Sequence, residues 1–313
     1  MALINPVDGL ACVPQWQQAL GQFFSLVQVF NPMLADIAQQ MQLLESFALL
    51  KTDWKESLSR ARGILDRQLQ YRRRRSSEML VAFIEDALCH RCRKNLAADT
   101  NRSETVRILK DRYADALRSK ERQNRVQIEQ LYQHRRLQSD PAILALESSD
   151  LMDRQSWSIW GLERKKVAAL AAGSGALAGA VIDAGVGGSS LMLGALSGAA
   201  IGGVATWFWG KELARVRIHG YFSLARQYVE VGPVRNPVFA WALFGRAVLH
   251  LHAIRQRSHA RRDKLALDTD TASALDRFDS KEKAIISRWL LAGSAGKMQR
   301  RREEITALIQ ERV

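Results

Sequence analysis

Three cysteines in 313 residues are too few to frame a disulfide scaffold and suit a reducing compartment. Six prolines exclude a fibrous or linker-rich chain. Lysine and arginine are absent from residues 1–50, and Pro6, Asp8 and Pro14 interrupt the early apolar stretch. A signal peptide is therefore not expected at this end. Sustained apolar/polar alternation is scarce, and no Asn-Gly or Asp-Gly turn stands between such runs, so little strand is expected. A hydrophobic share of 47% excludes wholesale disorder.

Catalytic and metal motifs are missing as well. A P-loop needs G-x-x-x-x-G-K-[ST]. The nearest match, Gly296-Lys297, has Leu291 in place of the first glycine and Met298 in place of the hydroxyl residue. Cys89-His90-Arg91-Cys92 is the one metal-like cluster. On a helix its thiols share a face, but structural zinc takes four ligands. Cys12 stands alone, and His250 and His252 fall on different sides of a helix, so two half-buried thiols are expected. No nucleophile–base signature is visible. No enzyme activity and no cofactor are expected.

What the chain does have is positive charge, +14 in total, unevenly placed. Residues 1–50 carry three acids and no base. Residues 51–166 carry 26 basic and 17 acidic residues, and residues 167–313 carry 20 and 12. Within the last part, residues 167–209 contain one charge, Asp183. Arg164, Lys165 and Lys166 precede that block, and Lys211 follows it. Arg72, Arg73, Arg74 and Arg75 form a second basic feature, within a helical stretch. Arg255, Arg257 and residues 300–302 add others. No aromatic interleaving or nucleic-acid motif accompanies them, so a lipid surface or an acidic partner is preferred over nucleic acid.

Helical spacing dominates. Trp16, Leu20, Phe23, Val27 and Phe30 recur at three or four residues, and Asn31-Pro32 reads as the start of a second helix. One long helix is expected over residues 53–97, roughly 65–70 Å. Asn101 with Glu104 starts another, running to about Leu137. The two should form an antiparallel hairpin, a stalk, whose thin seam, broken by Asn124 and several arginines, needs a third helix. Asn236-Pro237 and Asp279-Ser280 open later helices.

In residues 167–209, Ala171, Gly175 and Gly179 sit four apart, as do Gly194, Gly198 and Gly202. Glycines on one helix face allow close backbone contact. Asp183 lies in the turn between the two arms. Trp157 and Trp160 stand before the first arm, and Trp207 and Trp209 close the second. The arms have 16 and 19 residues against the roughly 20 of a membrane span. Basic and aromatic borders on both sides place both ends at one interface, the cytoplasmic one. Burial of the hairpin within protein is the competing reading.

The stretch from Gly161-Leu-Glu-Arg-Lys-Lys to Gly203, with Phe30-Asn-Pro-Met-Leu-Ala-Asp-Ile-Ala, resembles an uncharacterised bacterial domain. That domain usually follows a Ras-like GTPase domain in proteobacterial GTP-binding proteins. The similarity covers most of the chain from about Pro14 onward. It implies a cytoplasmic, helical, membrane-associated module working with a GTPase, whose own domain is absent here.

The expected fold is all-α. It comprises an apolar N-terminal helix pair (1–50), a basic helical stalk hairpin (51–138), a glycine-rich apolar hairpin (139–210) and a C-terminal basic helical bundle (211–313). The expected function is a non-enzymatic module at the cytoplasmic face of the inner membrane. Its expected partners are an anionic surface and a GTPase, with self-association a further option. The rivals are a soluble helical scaffold or nucleic-acid binder with the hairpin buried, and a pore-forming protein.

Overall fold

The computed structural model describes residues 1–6, 11–32, 35, 37–96, 101–134, 214–219, 228–257 and 275–313. Helix dominates them, in agreement with the all-α expectation. Strand β1 (Ala2–Ile4) pairs in parallel with β2 (Val27–Val29), and helix α1 (Val13–Gly21) lies between them in sequence. Helix α2 (Ile37–Leu50) and a 3-10 turn (Thr52–Trp54) lead into α3 (Lys55–Cys89). Strand β3 (Cys92–Asn95) precedes α4 (Arg102–Leu131). Strands β4 (Ala214–His219) and β5 (Tyr228–Val234) are followed by α5 (Pro237–Gln256), α6 (Ser280–Leu290), α7 (Ala295–Gln299) and α8 (Arg302–Arg312). The three later strands form an antiparallel sheet in the order β3-β5-β4.

Local chemistry explains several boundaries. The Asn101 side chain accepts from the backbone N–H groups of Ser103 and Glu104 and opens α4. Asn236 does the same for Phe239 N–H, with Pro237 in the first turn of α5, where its missing donor costs nothing. Asp279 and Glu282 form a reciprocal capping box on α6. Other boundaries differ from the periodicity. The first helix ends at Gly21, because residues 27–29 spend their backbone hydrogen bonds on β1. The second begins at Ile37, not at Pro32. The long helix ends at Cys89, because Cys92–Asn95 pairs with β5. Cys89 and Cys92 therefore do not share a helix face.

Helices α3 and α4 are antiparallel: Lys120 pairs with Asp86, and Tyr132 meets Ser76. Burial along α3 is one-sided in sequence. From Ser76 to Leu88 it packs into the core, whereas residues 55–75 contain no buried side chain. The additional helices that the thin seam requires are α5, against both members of the pair, and α8, whose Arg302 reaches Glu85 of α3. Leu80, Ile84, Leu117, Phe244, Trp289 and Ile305 belong to one continuous hydrophobic cluster. The ring of Phe244 meets Trp241, Phe278 and Trp289, mostly edge-on. Among the described residues α5 is the one helix long and apolar enough to cross a membrane, and 83% of that window is buried in the protein.

One charge inside this core is satisfied by another. Arg246 of α5 is 2% exposed, and its Nε donates to Glu121 Oε1 of α4 at 2.7 Å. Arg125 donates to the same oxygen at 2.8 Å. Burial raises the pKa of Glu121, but Arg125 and Arg246 outweigh it and hold the carboxyl below its ordinary value of 4.5. The sign follows: this contribution to stability is complete above the unfolded value and fades as pH falls through the depressed folded one.

Glu121→Ala leaves two guanidiniums facing each other and should cost about 3–5 kcal/mol in urea denaturation near neutral pH. The loss should shrink in acid. Glu121→Leu with Arg246→Met should recover most of it. Gly232 has φ +111°, and a Cβ there would lie 2.2 Å from the His90 carbonyl oxygen. Gly232→Ala should therefore lose at least about 1–3 kcal/mol, read as a lower Tm.

Candidate functional site

A basic site lies where α3 passes the ends of α4 and α5. It is a cleft of about 240 Å³ whose wall includes Gln68, Arg72, Tyr132, His134, Arg255 and Arg257. Leu65, Leu69 and Met41 supply apolar wall, and no Asp or Glu lines the cleft among the described residues. Helix α2 closes one side, running antiparallel to the amino half of α3 and tied to it by the Glu45–Arg62 ion pair.

Arg255 organises this corner. Its Nε donates to Tyr132 Oη at 3.2 Å, and its Nη2 donates to the Arg73 carbonyl at 2.7 Å, Ser76 Oγ at 2.9 Å and Ser77 Oγ at 3.0 Å. All four acceptors are neutral. The Nη1 group is shielded from solvent and has no hydrogen-bond partner among the described residues. Burial pulls the pKa of Arg255 below its ordinary value, with Tyr132 opposing. An arginine remains charged at neutral pH even so. Arg246 has a carboxylate partner, whereas among the described residues Arg255 is held by neutral acceptors.

The four consecutive arginines separate according to their place on the helix. Arg72 is half-buried in the cleft wall and makes no ion pair among the described residues. Arg73 is exposed, while its carbonyl serves Arg255. Arg74 and Arg75 are exposed and share Glu78, whose carboxyl is held below its usual range chiefly by the hydrogen bond from Arg74. Exposed pairs of this kind contribute little to stability, so these side chains are available to a partner. Sequence reading singled out the arginine run but not its junction with Tyr132 and Arg255. The local signal was Ser76-Ser77 directly after the run, two small acceptors on the buried side of α3.

The other expected site residues fall outside the described residues: Gly175, Gly179, Asp183, Gly194, Gly198, Gly202, Trp207 and Trp209 of the glycine-spaced segment, and its borders Arg164, Lys165, Lys166 and Lys211. Among the described residues no group of three His, Cys, Asp or Glu is placed to hold a metal. Cys89 contacts Met298, with sulfur atoms 3.7 Å apart, and Cys92 faces His90 at 3.4 Å. Burial raises the pKa of both thiols, which lowers their thiolate fraction and reactivity.

The acceptors around Arg255 are testable in isolation. Ser76→Ala with Ser77→Ala should destabilise the fold by about 1–3 kcal/mol, because a buried guanidinium then loses two partners. Chemical denaturation reads the loss. An unchanged midpoint would show that these hydroxyls do not support Arg255.

No curated protein and no solved structure matches the chain. A family described as a domain of unknown function, DUF3482, matches residues 17–309. This span takes in the arginine cleft, the sheet and the glycine-spaced segment, and the chain belongs to that family.

Proposed function

We propose that this chain is a non-enzymatic helical module that docks at the anionic cytoplasmic face of a membrane and works with a GTPase. The observation that carries the reading is the amino half of α3. Residues 55–75 hold eight basic and two acidic side chains. Ile64, Tyr71 and Arg75 recur at positions of one helix face, and all three are exposed. Exposed apolar residues continue next to this segment: Leu49 and Leu50 at the end of α2, and Trp54, over which Lys51 sits at 5.0 Å. Phe23 after α1 is 81% exposed. Aromatic and aliphatic side chains among arginines are the composition of a surface that enters the headgroup layer.

The glycine-spaced segment with its basic and tryptophan borders supports the same reading from the sequence side. It supplies the inserting element, while the arginines supply attraction to anionic lipid. The GTPase partner follows from the resemblance of residues 30–38 and 161–203 to the domain that accompanies Ras-like GTPases. The burial of α5 leaves the glycine-spaced segment, not α5, as the candidate for insertion.

Flotation with phosphatidylcholine vesicles, with and without phosphatidylserine, tests the docking. The chain should float with the anionic vesicles only. Binding should fall as salt is raised from about 0.01 to 0.15 M, where the screening length shrinks from about 30 to 8 Å. Arg74→Gln with Arg75→Gln should weaken it severalfold per residue, since each surface cation contributes about 1 kcal/mol. A chain that stays unbound on both vesicle types at low salt would overturn the reading.

A further inference from the structure

We infer that the turn joining α2 to α3 is a shallow lipid anchor, in which Leu49, Leu50 and Trp54 enter the headgroup layer of a bilayer. The role rests on the membrane docking proposed above and adds to it an apolar contact that salt does not screen. Every residue from Leu49 to Ser57 is exposed. Leu49 is 80% exposed, Leu50 43% and Trp54 47%. Single exposed apolar side chains are ordinary on a protein surface. Three large ones at one turn, in a stretch where nothing is buried, are a candidate contact surface. The turn does not need them for its own closure. It closes through the Trp54 N–H and the Lys51 carbonyl oxygen at 3.0 Å, a backbone bond that any side chains allow.

The setting of Trp54 fits the boundary between headgroups and acyl chains. Its indole keeps about half of its surface in water, and the Lys51 ammonium lies over the ring, 5.0 Å from the centroid. An indole is amphipathic and settles at headgroup level, and a lysine beside it lays its stem on apolar surface while its charge reaches phosphate. Charge selects lipid as the occupant. Lys51 precedes the eight basic and two acidic residues of 55–75. A second copy of so basic a segment would be repelled. An anionic bilayer is attracted, and directly beneath its charge it offers an apolar phase for leucine and tryptophan.

Neither contribution is enough alone. Arginines at the headgroup plane supply an attraction that salt weakens, and three partly exposed apolar side chains bury little area. Stable attachment to a membrane takes two such signals together, as one acyl chain needs a polybasic patch beside it. The turn is also placed to enter lipid without the core following. Ser76, the first buried residue of α3, lies about 30 Å along the helix from Lys55.

Flotation of the full chain with phosphatidylcholine vesicles containing phosphatidylserine, at about 0.01 and 0.15 M salt, tests the anchor. Leu49→Gln with Leu50→Gln is the principal variant and Trp54→Gln the second, both checked for folding by circular dichroism. Arg74→Gln with Arg75→Gln is the electrostatic control. The leucine pair should weaken binding about tenfold, by the same factor at both salt concentrations. The control should lose most at low salt and little at high salt. Trp54→Phe should still bind, and phosphatidylcholine brominated on its acyl chains should quench its fluorescence less than that of the wild type. If the folded leucine variant binds as the wild type does, the anchor is overturned, docking belongs to the arginines alone, and the turn is left to a protein partner. A leucine effect that fades with salt as the control's does overturns it too. Equal quenching of Trp54→Phe and the wild type overturns the entry of Trp54 into lipid, whatever the folding of Trp54→Gln. A wild-type chain that does not float at low salt overturns docking and anchor together.

Discussion

The packing of the described core depends on the contact between Arg246 of α5 and Glu121 of α4. An apolar helix buried on nearly all sides can rotate or slide against its neighbours at small cost, because one aliphatic surface resembles another. A guanidinium in the same interior cannot. It must meet its carboxylate, and the 2.7 Å contact fixes both the rotation and the height of α5 against α4. Everything at the carboxyl end of α5 inherits that register. Arg255 lies nine residues further along, two and a half turns, and therefore faces a different neighbour. It reaches Ser76 and Ser77 of α3 and Tyr132 after α4, so one helix is anchored to both members of the antiparallel pair.

Helix α3 shows how one element carries two kinds of work. Its carboxyl half is packed by α4, α5, α8 and the sheet, and residues such as Leu80 and Ile84 are fully covered. Its amino half packs along α2, meets the ends of α4 and α5 at the cleft, and keeps an excess of six positive charges in the sequence. Such a segment gains little from propensity alone and is held by continuation of a helix nucleated in the core. Its cost in self-repulsion is borne by the buried half. The arginine run sits where the two halves meet, so Arg72 turns into the cleft while Arg74 and Arg75 remain in water.

Signals that act within a few residues were legible in the sequence. Asn101, Asn236-Pro237 and the Asp279–Glu282 box each open a helix where they stand, because a cap needs only the three backbone groups that follow it. The need of the α3–α4 seam for further helices was also legible, from the polar residues that interrupt it. The strands were not. Cys92-Arg93-Lys94-Asn95 has no apolar alternation, and its extended conformation is fixed by β5, which lies well over a hundred residues away. Val27-Gln28-Val29 fits a helical stripe as well as a strand, and pairing with Ala2–Ile4 decides between them. The cleft was invisible for a related reason. Arg72, Tyr132 and Arg255 are ordinary residues on three separate segments, and only tertiary contact gives them a common chemistry.

The total of +14 divides into cations of different physical standing. Those of Arg74 and Arg75 are hydrated, paired with Glu78 and exchangeable. They bear on long-range attraction and are weakened by salt. Arg246 is neutralised in place and bears on stability alone. Arg255 belongs to neither group: it is desolvated, which costs free energy, and it is fixed by neutral acceptors, which do not return the electrostatic part of that cost. Removal of its charge would relieve the interior, whereas removal of a charge from a compensated pair would strain it.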